Sequence, residues 1–589
     1  MSSATAGQPA TAGLRSPAGL AGGRIECDIL VIGGGSTGAG VARDAAMRGF
    51  STVLVERGDL ATGTTGRFHG LLHSGGRYVV KDPKAAEECY AENVVLRRIA
   101  ADCIEDTGGL FVTTPADDPG YADRFLQSCA ATGIPAEEIP AAEALRREPR
   151  LNPRISRAII VPDATVDAWK TVWTTARSAT EHGAQILTYH QVVDMTRDGD
   201  TVTGAVVRDR SGAEVRIRAE ITINATGAWA GQIAAMAGCE VKVLPGKGIM
   251  VATNHRLVNM CVNRCEMPGD GDIIVPIRTV SVIGTTDVQV ADPDDWPITR
   301  AEIDEMITAG EALVPGFREA RTLRVWGGVR PLFQDDAPAE TRDVTRAHAV
   351  LDHKTRDGVA GLVTITGGKF CTYRLMAQDA VDAACKALGT SRPCRTADEP
   401  LPDSQDQSFY HISSRLAGRE RTLHADQLIC ECELVRRGRL VAEIERREVP
   451  PSLDDIRRAL RLGMGPCQGG FCMYRATGIL HEERHLSAAA ADDAMLDFLQ
   501  ERWKGVQPLL HGDQLRQAWL DDWIFQGVLD VEHLPHVEPA PADAPAGHDV
   551  PSRVQLPAQE RKSARERRAA GQRGSGQQRP ARSQKRTQP

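Results

Sequence analysis

No apolar run in the 589 residues reaches the roughly 18 needed to span a bilayer, and the opening MSSATAGQPATAGLRSPAGLAGGR has no continuous apolar core of the kind a secretory signal carries. The chain is therefore expected to stay in the cytoplasm. A positive excess is missing as well. With 70 Lys and Arg against 78 Asp and Glu, the formal charge of -8 excludes an overall basic footprint for nucleic acid or an anionic membrane. There is no short-period internal repeat. Cysteine, by contrast, is plentiful: there are 14. In a reducing compartment these are not expected to form structural disulfides, so scattered cysteines read as small buried apolar residues and a tight cluster reads as a metal site.

The length exceeds one ordinary core, at about 100 to 200 residues per domain. Residues 1–24, rich in Ala, Gly, Ser, Thr and Pro, are expected to be a disordered leader. Residues 25–390 alternate β-rich runs with helical segments, the pattern of an α/β domain. A linker is expected over 391–425, where SRPCRTADEPLPDSQDQS stands, followed by a small cysteine-bearing domain over 426–480 and a helical segment over 481–538. Residues 539–589 end in RKSARERRAAGQRGSGQQRPARSQKR, which reads as a disordered, solvated basic tail without a catalytic role.

The strongest local signal is CDILVIGGGSTGAGVARDAAMRGFSTVLVER. Residues 27–32 read as a buried strand, and Gly33, Gly35 and Gly38 supply G-x-G-x-x-G. A helix runs to about Arg48 with Gly49 at its end, and a second strand over 51–55 finishes at Glu56. That order sets a pyrophosphate on a helix N-terminus and a carboxylate on the ribose hydroxyls. The Thr- and Gly-rich loop that follows, with Arg57, Thr64 and Thr65, offers donors to phosphates and to a flavin edge. Two later strand-to-glycine turns, at Gly227 and at Gly367 and Gly368, complete a set able to cradle a long dinucleotide. FAD is therefore favoured over NAD. Arg77, Tyr78, Arg330 and Lys369 stand beside glycine turns, and Arg342 follows soon after one. Converging cations of this kind suit an anionic substrate such as a phosphate. His69 and His73 are candidate proton acceptors, His73 being the one offered for catalysis beside Arg330 and Lys369.

Near the C-terminus, Cys430 and Cys432 form C-x-C and Cys467 and Cys472 form C-x4-C, with 34 residues between the pairs. Two close pairs of thiolates match a [2Fe-2S] cluster, two ligands to each iron. Zinc and unligated core cysteines are the alternatives, zinc disfavoured by the tight C-x-C bite. Leu453, Ile456 and Leu460 at helical spacing predict a small helical module around the site. Cys89 and Cys371, like the remaining cysteines, read as ordinary residues.

Taken in order, VIGGGSTGAGVARDAAMRG, VERGDLATGTTGRFHGLLHSGGRYV, VPDATVD, INATGAWA, IGTTD, GGVRPL, TITGGKFCTYRLMA, CECE, GMGPCQGGFC and FLQERWKGVQP resemble the A subunits of anaerobic, FAD-dependent glycerol-3-phosphate dehydrogenases over about residues 25 to 530. The resemblance implies an FAD-binding Rossmann-like domain of the D-amino-acid oxidase type, an inserted α+β substrate domain and a small C-terminal domain of the bacterioferritin-associated-ferredoxin type. It also implies oxidation of sn-glycerol 3-phosphate to dihydroxyacetone phosphate, with Arg77, Tyr78, Arg330, Arg342 and Lys369 lining the pocket. Electrons would pass through the cluster to a flavin-containing subunit, an iron–sulfur subunit and quinone, which places the chain at the inner face of the plasma membrane through its partners. The linker between Arg395 and Cys430 is shorter than the family pattern, and both termini are additional. An amine or imino-acid dehydrogenase subunit with the same cofactor layout is the nearest rival, and a non-enzymatic scaffold that has lost its flavin is a second.

Overall fold

The computed structural model describes residues 23–333, 341, 344–420, 426–447, 449–511, 514–516, 519 and 523–524. The first strand, β1 (Arg24–Ile32), leads through Gly33–Gly35 into α1 (Ser36–Met47), and β2 (Thr52–Glu56) follows. Further along are the long helix α2 (Pro83–Ile99), the strands β3 (Glu214–Asn224), β4 (Val243–Thr253), β5 (Thr322–Phe333) and β6 (Leu362–Gly367), and the helix α3 (Tyr373–Ala387).

β1 lies parallel between β2 and β3, with Leu30 opposite Val53 on one side and Thr222 on the other, and β3 lies parallel to β6. Alternate residues of β1 enter different cores: Ile29 and Val31 pack with α1 and α3, whereas Leu30 and Ile32 pack with Val53 and Val55 beneath Ile233 and Ala234. Burial on both faces explains why the strand reads as an unbroken apolar run. The glycine turns after β1, β3 and β6 therefore leave the same carboxyl edge of one sheet, where open α/β sheets bind ligands.

The chain also forms a second, 9-stranded sheet. β4 and β5 form its long antiparallel pair, in a register that sets Gly246 opposite Arg330 and Gly248 opposite Gly328. The helix Arg300–Leu313 covers one face, opened by a Thr299–Glu302 capping box.

The C-terminal domain packs three helices, α4 (Arg437–Glu445), α5 (Leu453–Leu460) and α6 (Met473–Arg484), around Leu440, Ile456, Leu462 and Met473, with Phe498 of α7 (Ala488–Val506) closing the core. Leu453, Ile456 and Leu460 all face this core, as their spacing predicts. Two sets of buried ion pairs lock this domain onto the rest of the described chain. Arg278 lies between Asp167 (3.0 Å) and Glu433 (3.7 Å), and Arg461 lies against Glu433 (3.0 Å) and Asp167 (3.9 Å). Asp59 meets Arg447 (3.2 Å) and Arg458 (3.8 Å). Removing one member of such a set strands an uncompensated charge. Glu433→Ala is therefore expected to destabilise the interface by about 3–5 kcal/mol, read as an earlier, separate unfolding step of the C-terminal domain in calorimetry.

No helix of the described residues is long and apolar enough to cross a membrane. Residues 1–22 of the expected leader 1–24 and the basic tail from 539 onward lie outside the described residues, and β1 already begins at Arg24.

Candidate active site and iron–sulfur centre

At the dinucleotide end, helix α1 begins against a close-packed turn. A Cβ on Gly38 would stand 1.8 Å from the Gly33 carbonyl oxygen, and one on Gly33, whose φ is +109°, would stand 2.7 Å from that of Ala225. The turn after β1 thus touches the turn after β3, which no residue larger than glycine permits. The Gly35 position opens toward Thr65, whose hydroxyl accepts the first free amide of the helix, Ser36 N–H, at 3.1 Å. Glu56 at the end of β2 folds its carboxylate back over the turn, accepting from Gly34 N–H (2.7 Å) and Gly58 N–H (2.8 Å). Thr64 donates to the Val329 carbonyl (2.6 Å), which ties this loop to β5 of the second sheet. Gly227, Gly367 and Gly368 all have positive φ, at +61°, +76° and +71°. These are the features an FAD-binding cradle requires: free helix N–H groups, an acid beside them, and backbone that can be approached closely. Arg57 is exposed, paired with Asp294 (2.8 Å) and lying over the ring of Trp229 (4.4 Å), which ends the turn that Gly227 opens.

The cationic residues singled out in the sequence do come together, but with acidic partners that it did not reveal. Arg77 pairs with buried Asp272 at 2.6 Å and donates to the Gly269 carbonyl at 3.2 Å. Arg330 reaches from β5 to Asp287 (3.1 Å), to the Gly246 and Thr286 carbonyls (3.4 and 2.9 Å) and to the Thr285 hydroxyl. Asp287 also holds Arg346 at 3.5 Å, so one carboxylate serves two guanidinium groups and a net positive charge remains. Lys369 extends over the Tyr78 ring at 5.3 Å and donates to the Arg346 carbonyl at 3.0 Å. The concentration of charge shows in His69: burial first, then Arg77, His73 and Arg330, hold its pKa down to about 3, so it stays neutral and accepts from Leu71 N–H at 3.1 Å. Burial likewise pulls the Arg330 pKa down, with Asp287 opposing it. Arg342 lies outside the described residues.

His73 is 8% exposed, and its ring meets that of Tyr78 edge-on at 5.3 Å. Its Nε2 lies 3.4 Å from Cys371 Sγ, which lies 3.4 Å from Cys89 Sγ, and its buried Nδ1 has no hydrogen-bond partner among the described residues. Cys89 and Cys371 stand 282 positions apart, so nothing in the sequence set them off from the other cysteines.

The four C-terminal cysteines converge. Cys432 and Cys467 Sγ are 3.9 Å apart, and Cys430 and Cys467 each contact both Cys432 and Cys472, which closes a ring of four sulfurs. Bonds from Cys432 and Cys472 pull the thiols of Cys430 and Cys467 down to about 3 and about 2, and hold the two flanking thiols up in return. Four sulfurs closing one partly buried ring are a donor set for a thiophilic metal centre. A Cβ on Gly465 would meet the Cys432 Cβ at 2.2 Å and lie 3.5 Å from Thr279 of the FAD-domain side, so the centre rests against the hairpin that carries Arg278.

A flavin cradle, a cationic pocket and a four-sulfur centre in one chain define a flavin-linked oxidoreductase with its own iron–sulfur domain. The family described as FAD dependent oxidoreductase matches residues 28–374, and the BFD-like [2Fe-2S] binding domain matches residues 428–482. FAD and a [2Fe-2S] cluster are thus the cofactors, and zinc is set aside. The chain is 43% identical over 527 residues to the A subunit of the anaerobic glycerol-3-phosphate dehydrogenase of Escherichia coli (strain K12), spanning 86% of this chain and 97% of that protein. It is 43% identical over 543 residues to the A1 subunit of the same enzyme from Haloferax volcanii, spanning 87% and 92%. It belongs to the family of anaerobic glycerol-3-phosphate dehydrogenase A subunits. The glycerol-3-phosphate dehydrogenase of Bacillus halodurans, solved with FAD, shares the fold with a TM-score of 0.59 at 22% identity, over 83% of this chain and 97% of that one.

Proposed function

We propose that the chain oxidises sn-glycerol 3-phosphate to dihydroxyacetone phosphate and hands the electrons through its [2Fe-2S] centre to partner subunits and quinone. The observation that carries this reading is the convergence of Arg77, Arg330, Arg346 and Lys369 beside Tyr78 and His73, on the side of the flavin cradle tied to it by Thr64 and Val329. A phosphomonoester dianion answers the surplus charge there, and Arg342 is expected to join it on the strength of the family motif. FAD, held by the turns at Gly33–Gly38, Gly227 and Gly367–Gly368, supplies the two-electron acceptor for the C2–H bond.

The residues of the chain do the rest. Lys369 and the arginines fix the phosphate, which orients C2. His73, whose Nδ1 meets no hydrogen-bond partner among the described residues, takes the proton of the C2 hydroxyl. The terminal N–H groups of Arg330 are engaged by Asp287, Thr285, Thr286 and Gly246, which hold it in place, so it acts on the developing alkoxide through its charge in a half-buried site. Partner subunits would keep the chain at the inner face of the plasma membrane.

The test is an anaerobic absorption spectrum before and after substrate. Glycerol 3-phosphate is expected to bleach the flavin, and Arg330→Ala to slow that bleaching by about 10²- to 10³-fold with FAD content unchanged. Bleaching by sarcosine or proline, with none by glycerol 3-phosphate, would overturn the assignment.

A further inference from the structure

Hydrogen bookkeeping around His73 carries one step more. A thiol has a single hydrogen. In the chain Cys89–Cys371–His73, the Cys371 S–H donates to Cys89 Sγ at 3.4 Å. Cys89 sits beside the Lys369 ammonium, which suits it as the acceptor of that S–H. The remaining contact, Cys371 Sγ to His73 Nε2 at 3.4 Å, is then one in which sulfur accepts and the ring nitrogen donates. As a base His73 carries its one hydrogen on Nε2, and its buried Nδ1 lone pair meets no hydrogen-bond partner among the described residues, in a ring that is 8% exposed. The other polar groups around the ring do not supply this direction: Asp163 accepts from Ser74 N–H and Asn263, His69 accepts from Leu71 N–H, Arg77 is paired with Asp272, and Tyr78 meets His73 through its ring edge.

We infer that Cys371, backed by Cys89, is a positioning residue that fixes the tautomer of His73 so that Nδ1 is the free base facing the substrate. The inference rests on His73 being the base of the proposed reaction. In that step the C2 hydroxyl proton passes to Nδ1, the C2–H bond leaves as hydride with its electron pair to the FAD acceptor, and the C2–O bond becomes a carbonyl. No sulfur is oxidised and no proton is lost from the thiol pair. The pair works as an aspartate does behind a catalytic histidine, by holding the far nitrogen's hydrogen.

The experiment is single-turnover flavin bleaching by glycerol 3-phosphate in the purified, flavin-loaded chain under anaerobic conditions. Cys371→Val removes the acceptor for Nε2–H and frees the ring to place its hydrogen on Nδ1. The limiting rate is expected to fall about 100-fold, the lower end of what a positioned base contributes, with half-saturation unchanged. Cys371→Ser restores an acceptor and is expected to recover most of the rate. Cys89→Ala, which releases the Cys371 S–H to turn toward Nε2, is expected to slow the reaction as Cys371→Val does, and it reports if that variant fails to take up FAD. A wild-type rate in Cys371→Val or Cys89→Ala, or a Cys371→Ser variant as slow as Cys371→Val, overturns the tautomer role. An unaffected His73→Gln variant instead removes the base assignment beneath it.

Discussion

A Cys432→Ser chain is expected to keep its flavin, to be reduced by substrate at the wild-type rate, and to deliver almost nothing onward. The four sulfurs form a closed ring, in which Cys432, like Cys472, links Cys430 to Cys467. A serine hydroxyl ionises far less readily than a thiol, so this corner loses the soft thiolate donor it would offer to iron. Three sulfurs leave one iron short of a ligand. The flavin half is insulated from the change: the ring sits in a core built on Ile429, Leu440, Ile456 and Met473, and the FAD cradle is built on the separate core of β1, α1 and α3. The cluster absorption and its reduced-state EPR signal should vanish, flavin bleaching should survive, and turnover coupled to the partner subunits should fall by a factor on the order of 10² or more, the cluster being the redox link. Coupled turnover that persists in a cluster-free variant would show that electrons leave the flavin by another route.

What was legible in the sequence was local. The strand, glycine turn, helix, strand and acid of residues 27–56 carry their geometry in their own spacing, and β1, α1 and β2 fall where the periodicity sets them. The four cluster cysteines were legible because each pair is close in sequence, and a tight pair of thiols has few other uses. What stayed hidden was every contact that depends on the fold to bring distant residues together. Arg77 gave no hint of Asp272, nor Arg330 of Asp287 and Arg346, and the convergence read as free positive charge is in fact a network of four cations, Lys369 among them, around two carboxylates. Cys89 and Cys371 look like any other buried cysteine until α2 and the turn before α3 set them 3.4 Å apart. The ion pairs that seat the iron–sulfur domain are of the same kind, since Arg278, Asp167, Glu433 and Arg461 come from four separate stretches. Arg57 gave no hint of its partner either: it follows Glu56 in sequence, but β2 ends there and the side chain turns outward to Asp294.

Gly38→Ala should yield a chain that folds its C-terminal domain and binds no FAD. The obstacle is space rather than torsion, because Gly38 sits in the first turn of α1 with ordinary helical backbone. Its added methyl would lie 1.8 Å from the Gly33 carbonyl oxygen, inside any van der Waals contact, and 3.6 Å from the Ala225 side chain. Relief requires the helix N-terminus to back away from the turn after β1. That turn cannot yield, because Gly33 is itself pressed against Ala225 and Thr226. The displaced element is the one whose free N–H groups and dipole meet the pyrophosphate, so the clash is converted into lost cofactor affinity. Gly478→Ala supplies the control. This glycine lies inside α6, where a Cβ meets nothing within 4 Å, and the substitution should stabilise the helix by about 0.5–1 kcal/mol through backbone entropy alone. The flavin-to-protein ratio of the two purified variants, read from absorbance, separates the cases: near zero for Gly38→Ala and wild-type for Gly478→Ala. A flavin-loaded Gly38→Ala chain would mean that the helix start carries less of the cofactor than its geometry implies, and that the turns after β3 and β6 hold FAD on their own.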